Sequence, residues 1–473
     1  MNIREKYDVV VVGGGTAGSI AAISAARTGA KTLIIEKYGR LGGILSTGMT
    51  LNGVADGEGY LALGGIGGEL FKRLKNISGA TRTTPHPLYG SFLAHQPELT
   101  QLTLVNMLQE SGVNFLLHSF VTDVLMKGSK IEGILLTNKN GLEIVLGENF
   151  VDCTGDADLV ARANGPYVYG RSGDSHTQPV TLIFRIGGVK LEEMWKYLES
   201  HPEDMRPPKD WEDPGESYNV EYLRKTAGIN LYAFQNLIKK AKSAGEWNIP
   251  NDRLGMDTFP DSDIVTINVT RIQGVDGTSV DDITRAEIEG QRQMYEAVRF
   301  LKRYVPGFEK SYITSVPYQI GIRETRHIVG EYVLNDKDIL TGKKFNDVIG
   351  RGAYPLDIHD VNSQTNALGK DVSGRGIDLH KIDHSYEIPA RCLIPRGMEN
   401  LAVGGRAISA THEAAAAIRG QAVCMVTGHA AGTMAALATV TNTSLSELPI
   451  PKLQSVLRSQ EVILERNVRI DAG

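Results

Sequence analysis

An α/β fold, with a mainly parallel sheet, an antiparallel meander and an inserted α+β domain, is predicted by three observations. The first is a β-branched run, a glycine-rich turn, an alanine-rich stretch and a second apolar run, all within residues 7–36. The second is a set of short strand-like runs after residue 114, separated by Gly128 and Asn140-Gly141. The third is a change of character at about 165–395, after which the alanine- and glycine-rich style of the N-terminus returns.

Each element has its reason. Residues 7–12 (YDVVVV) form a continuous β-branched run, as a strand buried on both faces does. A helix from about Ala17 to Thr28 follows, and Gly29 lies just past its end, where glycine commonly stops a helix. Lys31–Glu36 (KTLIIE) reads as the second strand, which completes a β-α-β unit of Rossmann type. Residues 97–111 read as a helix, and Asn114–Met126, Lys130–Thr137 and Glu143–Leu146 as an antiparallel meander. Phe150–Thr154 is a further strand, ending in Thr154-Gly155-Asp156-Ala157-Asp158. The middle carries a Pro-rich stretch, Glu199–Ser217, and a long amphipathic helix, Asp281–Tyr304. Leu401–Val403, the turn Gly404-Gly405-Arg406 and a helix to about Ala438 return to the first style. The predicted domains are 1–165 and 393–440 as two parts of one nucleotide domain, 166–392 as the insert, and 441–473 as a C-terminal helix and tail.

Composition sets the outer limits. The chain has 473 residues, is 41% hydrophobic and carries a net charge of −5, which gives an ample core and no strong pull toward nucleic acid or anionic lipid. The uncharged stretch Ala422–Val440 is rich in Ala, Gly and Thr, and reads as a buried helix rather than a membrane span. Cys153, Cys392 and Cys424 are odd in number and far apart, with no CxxC. That argues against disulfides, a zinc site, cysteine-ligated clusters and a dithiol redox pair, and fits a reducing cytoplasm. Asp156 and Asp158 lack a third acid or a His, so they read as a loop cap and no metal is expected. The 52 glycines are about 11% of the chain, against roughly 7% in an average protein, so glycine has backbone work to do.

Gly13, Gly15 and Gly18 supply that work in one place. The first permits a tight turn, the second lets backbone approach a pyrophosphate, and the third lets the helix pack on the strand. The helix start at Thr16 and Ala17 offers free N–H groups and a positive dipole end to phosphate. Glu36 ends the second strand, where its carboxylate accepts bonds from ribose hydroxyls and disfavours a 2′-phosphate. The unit predicts a dinucleotide site and leaves FAD and NAD open. Gly64-Gly65-Ile66-Gly67-Gly68 has no strand before it and reads as a helix entry near the same site, so no second nucleotide domain is expected.

The layout around this unit resembles a flavoprotein fold of glutathione-reductase type. Glu36-Lys37 runs on into Arg40-Leu41-Gly42-Gly43, and a second glycine turn, Gly404-Gly405-Arg406, stands near the other end. Four further stretches narrow the resemblance: Thr154–Asp158, Gly321–Arg326, Tyr354–His359, and Pro389–Pro395 running into Gly405–Ala414. Together they are similar to the FAD-dependent oxidoreductases related to fumarate reductase and succinate dehydrogenase flavoproteins. The resemblance covers about residues 7–438 and implies FAD, held non-covalently. It implies cofactor contacts from Gly13, Gly15, Thr16, Ala17, Gly18, Glu36, Lys37, Arg40, Gly42, Gly43, Val121, Thr154, Gly155, Asp156, Gly405, Arg406 and Arg419. Two positions depart from the pattern. Ala407 stands where relatives often carry Cys, and Gly420-Gln421-Ala422 follows Arg419 where they often carry Val-Met-Pro.

A flavoenzyme must orient substrate, manage a proton and stabilise charge on the reduced ring. A helix start between Ala414 and Gly420 is the candidate for the last task. His359 and His412 are the candidates for the proton, since histidine titrates near neutrality. Arg323 and Arg326 are three apart and share a face if helical, where they are able to grip a carboxylate or polarise a carbonyl. The expected activity is hydride transfer between flavin N5 and a small polar organic substrate, at a hydroxylated carbon or an activated C=C bond. An NAD-dependent dehydrogenase and a non-catalytic flavin-binding protein are the alternatives. A homo-oligomer is left open.

Overall fold

The structure, a computed structural model, describes residues 2–48, 50–86, 89–205, 219–226, 228, 230–260, 262–359 and 377–470. Most of the Pro-rich stretch expected at 199–217 lies outside the described residues. The main sheet is α/β as predicted. Strands Asn114–Leu116, Thr32–Ile35, Tyr7–Val12 and Gly141–Asp152 lie side by side in parallel, and Leu401–Val403 joins Gly141–Asp152 from the other side. All six residues of Tyr7–Val12 but Asp8 are buried, as a continuous β-branched run requires.

Two strand expectations need correction. Asn114–Met126 is not one strand. It breaks at 117–119, where His118 takes a φ of 51° and its N–H bonds the Tyr38 carbonyl. The piece before the break is parallel in the main sheet, while Phe120–Lys127 opens the meander. Conversely, the runs at 143–146 and 150–154 are one strand, Gly141–Asp152. Its first half pairs antiparallel with Lys130–Asn138, and its second half pairs parallel with Tyr7–Val12. Gly147 marks the changeover, because a Cβ there would lie 2.8 Å from the Phe150 ring and 3.0 Å from Val10.

Two helices brace the nucleotide end of this sheet. Thr16–Arg27 is the alanine-rich helix, stopped before Gly29 at a φ of 102°. Gln421–Thr441 is long and apolar enough to cross a membrane by length and composition, and 89% of its apolar window is buried in the fold. The two touch backbone to backbone. A Cβ on Gly428 would lie 2.2 Å from the Ala17 carbonyl oxygen, and one on Gly432 would lie 2.1 Å from that of Ala21. The expected single helix after the second glycine turn is in fact two, His412–Ile418 and Gln421–Thr441, separated at Arg419-Gly420.

A second sheet of five antiparallel strands runs in the order Asn230–Ala233, Leu254–Thr258, Val265–Asn268, Phe184–Gly187, Tyr312–Ser315. Helix Val280–Tyr304 buries Ala297, Phe300 and Leu301. The resulting core contains Phe184, Phe234, Met256, Phe300 and Phe308 and spans 182–308, with Phe92 added. That is narrower than the 166–392 stretch. Ile328, Ile349, Leu356 and Ile388 belong instead to the main core. The C-terminal tail is also docked. Val462 and Leu464 are buried in the main core, and Arg466 Nε donates to Asp56 at 2.6 Å.

Candidate active site

One cavity, with room for water centres over about 370 Å³, runs from the nucleotide turn to the second sheet. Its first end is built by the β-α-β unit. Gly13 has a φ of 97°, and a Cβ there would lie 2.3 Å from the Cys153 carbonyl oxygen. Gly18 is closer still, at 1.7 Å from the Gly13 carbonyl oxygen, so it does not line the cavity but lets the helix seat. At Gly15 the nearest atom to a Cβ is 4.0 Å away, so the backbone there faces open space. No side chain caps the helix that starts at Thr16, which leaves its N–H groups free for a ligand. Glu36 is buried. It accepts from the Gly14 N–H at 2.6 Å and the Tyr38 N–H at 2.9 Å, and burial pushes its carboxyl above the usual range. Lys37, Gly43 and Val121 line the same end.

The middle is built by the turns at 154–156 and 404–406. Gly155 has a φ of 84°, and a Cβ there would lie 2.7 Å from the Arg406 guanidinium. Asp156 accepts from Arg406 at 2.5 Å and from the Thr325 hydroxyl at 2.7 Å. Thr154, Gly405 and Arg406 line the cavity, and so do Gly420 and Gln421 at the start of helix Gln421–Thr441. That helix also has no side-chain cap at its first turn; it starts just past the 414–420 range in which the sequence expected a helix dipole, because His412–Ile418 is a separate short helix. The Nε atoms of Arg406 and Arg419 are buried with no hydrogen-bond partner among the described residues. Open backbone at Gly15, two uncapped helix starts and these guanidinium atoms fit an extended, anionic dinucleotide.

The far end holds a buried polar cluster. Asp357 accepts from Tyr354 Oη at 2.6 Å and from Arg419 at 3.0 Å, and His359 Nε2 lies 3.5 Å from its other oxygen. Burial alone raises a carboxyl. Here His359 and Arg419 overrule it and hold Asp357 well below the usual range. Burial, and then the charge of Arg323, pulls His359 down to about 3, so its imidazole is neutral at pH 7. Arg323 lines the cavity and donates to the Pro179 carbonyl at 2.5 Å. It forms no ion pair among the described residues, and burial followed by Arg419 pulls it down to about 9. Tyr89, Tyr232 and Arg271 complete the lining, with the Tyr89 ring stacked 5.5 Å from Tyr354.

Several predicted residues lie elsewhere. Arg323 and Arg326 are not on a helix, because Gly321 bridges to Thr181 and Arg326 opens a short strand. Arg326 leaves the cavity to bond the Asp156 carbonyl at 2.8 Å and Asp158 at 3.0 Å. His412 does not line the cavity either. Its Nδ1–H donates at 2.8 Å to the buried Glu324 carboxylate, which also meets His327 at 3.3 Å. The two histidines overrule burial and hold Glu324 near 2. Arg40 turns to Gln101 at 2.9 Å, and Gly42 bonds the Gly14 carbonyl at 2.8 Å, so both shape the turn from behind. The Gly64–Gly68 stretch is a helix entry, but it packs on His429 and Glu461, away from the cavity. Sequence reasoning missed Tyr354 and Asp357 as site residues. For Asp357 the strand Leu356–His359 carries the signal, since Asp357 and His359 are two apart and share a face. Tyr89 and Tyr232 had no comparable signal.

One test arises directly from this geometry. Glu36→Ala removes the acceptor of two backbone N–H groups beside the turn. It is expected to weaken cofactor affinity by at least about ten-fold, the value of one charge-assisted hydrogen bond. Flavin retained after ultrafiltration measures this, and unchanged occupancy removes Glu36 from the site.

Comparison with known proteins places the chain in a family. Residues 8–457 match the family model described as FAD dependent oxidoreductase. The chain is 24% identical over 427 residues to the tRNA uridine 5-carboxymethylaminomethyl modification enzyme MnmG of a Sulfurihydrogenibium species, covering 77% of this chain. It spans only 65% of that relative's length. Among solved structures, a geranylgeranyl bacteriochlorophyll reductase-like protein from Thermoplasma acidophilum aligns over 98% of this chain and 85% of its own, at 15% identity and a TM-score of 0.46. The flavin-dependent brominase Bmp2 aligns over 96% and 83%, at 14% identity and a TM-score of 0.44. On its near chain-long match to the family model, the chain belongs to the FAD-dependent oxidoreductase family.

Proposed function

We propose that the enzyme transfers a hydride between FAD and a small polar organic substrate that carries an anionic group. The observation that carries this reading is the continuity of one cavity from Glu36 and Gly15 to Arg323, a half-buried guanidinium with no ion pair among the described residues. Gly13, Gly15, Thr16, Ala17, Glu36, Lys37, Gly43, Val121, Thr154, Gly155, Asp156, Gly405, Arg406 and Arg419 hold the cofactor, and Gly18, Arg40 and Gly42 shape its turn. FAD supplies the hydride chemistry at a hydroxylated carbon or an activated C=C bond.

The chain's own residues do the rest. Arg323 binds the substrate's carboxylate or polarises its carbonyl, and the bound anion offsets the desolvation that depresses Arg323. That anion also offsets the charge that depresses His359, raising its pKa toward the working range. His359, held by Asp357, then takes the proton at the reacting carbon's substituent as the neutral imidazole in the oxidation direction, and returns it as the imidazolium in the reverse direction. Asp357 and Arg419 fix the position of Tyr354 and His359. The uncapped first turn of helix Gln421–Thr441, whose Gly420 and Gln421 line the cavity, would offer positive dipole charge to the flavin. A small molecule suits a net charge of −5 better than a nucleic acid does. Three free, buried cysteines suit a reducing cytoplasm.

Anaerobic bleaching of the flavin band across hydroxy acids, sugars and their oxidised or unsaturated counterparts tests the reading. Reoxidation of the chemically reduced enzyme by the same panel covers the opposite direction. Bleaching or reoxidation by a carboxylate, lost in Arg323→Met, is the expected result. A response confined to uncharged compounds, or one unchanged in Arg323→Met, overturns it.

A further inference from the structure

Residues 317–323 form a continuous stretch of the cavity wall, although they belong to the connection between the second sheet and the strand at Arg326–Ile328. The stretch is pinned at its far side. The Ile320 N–H donates to Glu287 at 2.6 Å, and Gly321 exchanges backbone bonds with Thr181 at 2.7 and 3.1 Å. From that anchor Tyr318 reaches across to the nucleotide domain. Its ring meets Tyr38 edge-on at 5.1 Å and 67°, and the Arg40 guanidinium sits over it at 5.5 Å. Arg40 is itself fixed by Gln101, so this face of the contact does not swing freely.

Among the described residues, the ring partners of Tyr318 on the nucleotide side, Tyr38 and Arg40, both come from one segment, 38–46. That segment follows Glu36 and includes Gly43, which lines the cofactor groove. Tyr38 and Tyr318 are both half-buried and both line the cavity, so the contact closes the groove rather than lying outside it. We propose that residues 317–321 are a strap over the nucleotide end of the groove that would hold FAD, latched by Tyr318 on Tyr38 and Arg40, and that the cofactor leaves only when this latch opens. The second domain then has a task in cofactor retention as well as in substrate recognition. An aromatic pair with a cation over one ring is a contact that parts without unfolding either domain, which suits a latch.

The test is the dissociation rate of FAD from the purified holoprotein, followed by the rise of flavin fluorescence on dilution. Tyr318→Ala is expected to raise this rate about ten-fold, while Tyr318→Phe, which keeps the ring contact, stays within about two-fold of the wild type. Tyr38→Ala reads the same latch from the other wall and serves if Tyr318→Ala fails to accumulate. The double Ala variant is expected to release FAD no faster than either single one, because a latch is lost only once. Urea midpoints of the apoproteins stay together, which separates a latch from general loosening. Release from both Ala variants within two-fold of the wild type overturns the proposal, and so does additive acceleration in the double variant.

Discussion

Gly432→Ala is expected to leave little folded holoprotein. The added methyl would sit 2.1 Å from the Ala21 carbonyl oxygen, and this neighbour is backbone rather than a side chain able to swing away. The helices Thr16–Arg27 and Gln421–Thr441 must therefore move apart. Both are packed in the main core, with Ile20, Ile23, Met425 and Met434 nearly or fully buried. Opening that packing costs about 3 kcal/mol or more, at the upper end of overpacking effects. The functional loss exceeds the stability loss, because both helices begin at the cavity and carry its uncapped first turns. Gly428→Ala, at 2.2 Å from Ala17, is expected to behave alike. Gly128→Asn is the control, at a turn where a Cβ meets nothing within 4 Å. Urea unfolding and flavin occupancy measure the effect. A Gly432→Ala protein with the wild-type midpoint and full flavin means that the crossing is looser than described.

Asp357→Asn is the second large effect. It removes the carboxylate that Tyr354 and Arg419 share and leaves the Arg419 and Arg323 guanidinium groups facing each other in a buried site. Stranding a buried charge in this way costs about 3–5 kcal/mol. Substrate-driven flavin bleaching is expected to fall by at least about 100-fold, the scale of losing a positioned acid–base group. Flavin content is expected to hold, since Gly15, Glu36 and Asp156 are untouched. Retained turnover within a few-fold removes the cluster from the chemistry. Loss of flavin together with turnover means instead that Asp357 serves the cofactor end.

What was legible in the sequence follows sequence distance. The strand, turn, helix and strand of 7–36 are set by neighbours, and Glu36 ends where the second strand must end. The chemistry of Gly13, Gly15 and Gly18 was readable because each answers a local backbone demand. The break at His118 was not readable, since it is imposed by the chain leaving a parallel ladder for an antiparallel one. The same holds for Gly141–Asp152, whose two halves look like separate strands until Tyr7–Val12 and Lys130–Asn138 both pair with it. Helical spacing misread Arg323 and Arg326, because the partner that straightens their segment, Thr181, is about 140 residues away. His412 misled in another way. A histidine beside a glycine turn is equally suited to a ligand and to a buried carboxylate, and Glu324 supplied the second. The pairing of Tyr89 with Tyr232 and Tyr354 depends on three segments meeting, which no periodicity encodes.

The crossing of Thr16–Arg27 with Gln421–Thr441 also sets an order in time. The first helix leaves the ribosome about 400 residues before the helix that covers it. At roughly 5–20 residues per second, that is about 20–80 s during which its Ile20 and Ile23 lack their final cover. The central strand Gly141–Asp152 waits about 250 residues, roughly 12–50 s at the same rate, for Leu401–Val403. The nucleotide half therefore cannot finish folding before residue 441 has emerged, whereas the residues of the core at 182–308 are all present much earlier. In this chain the inserted domain is the early product, and the domain that begins the sequence is the late one.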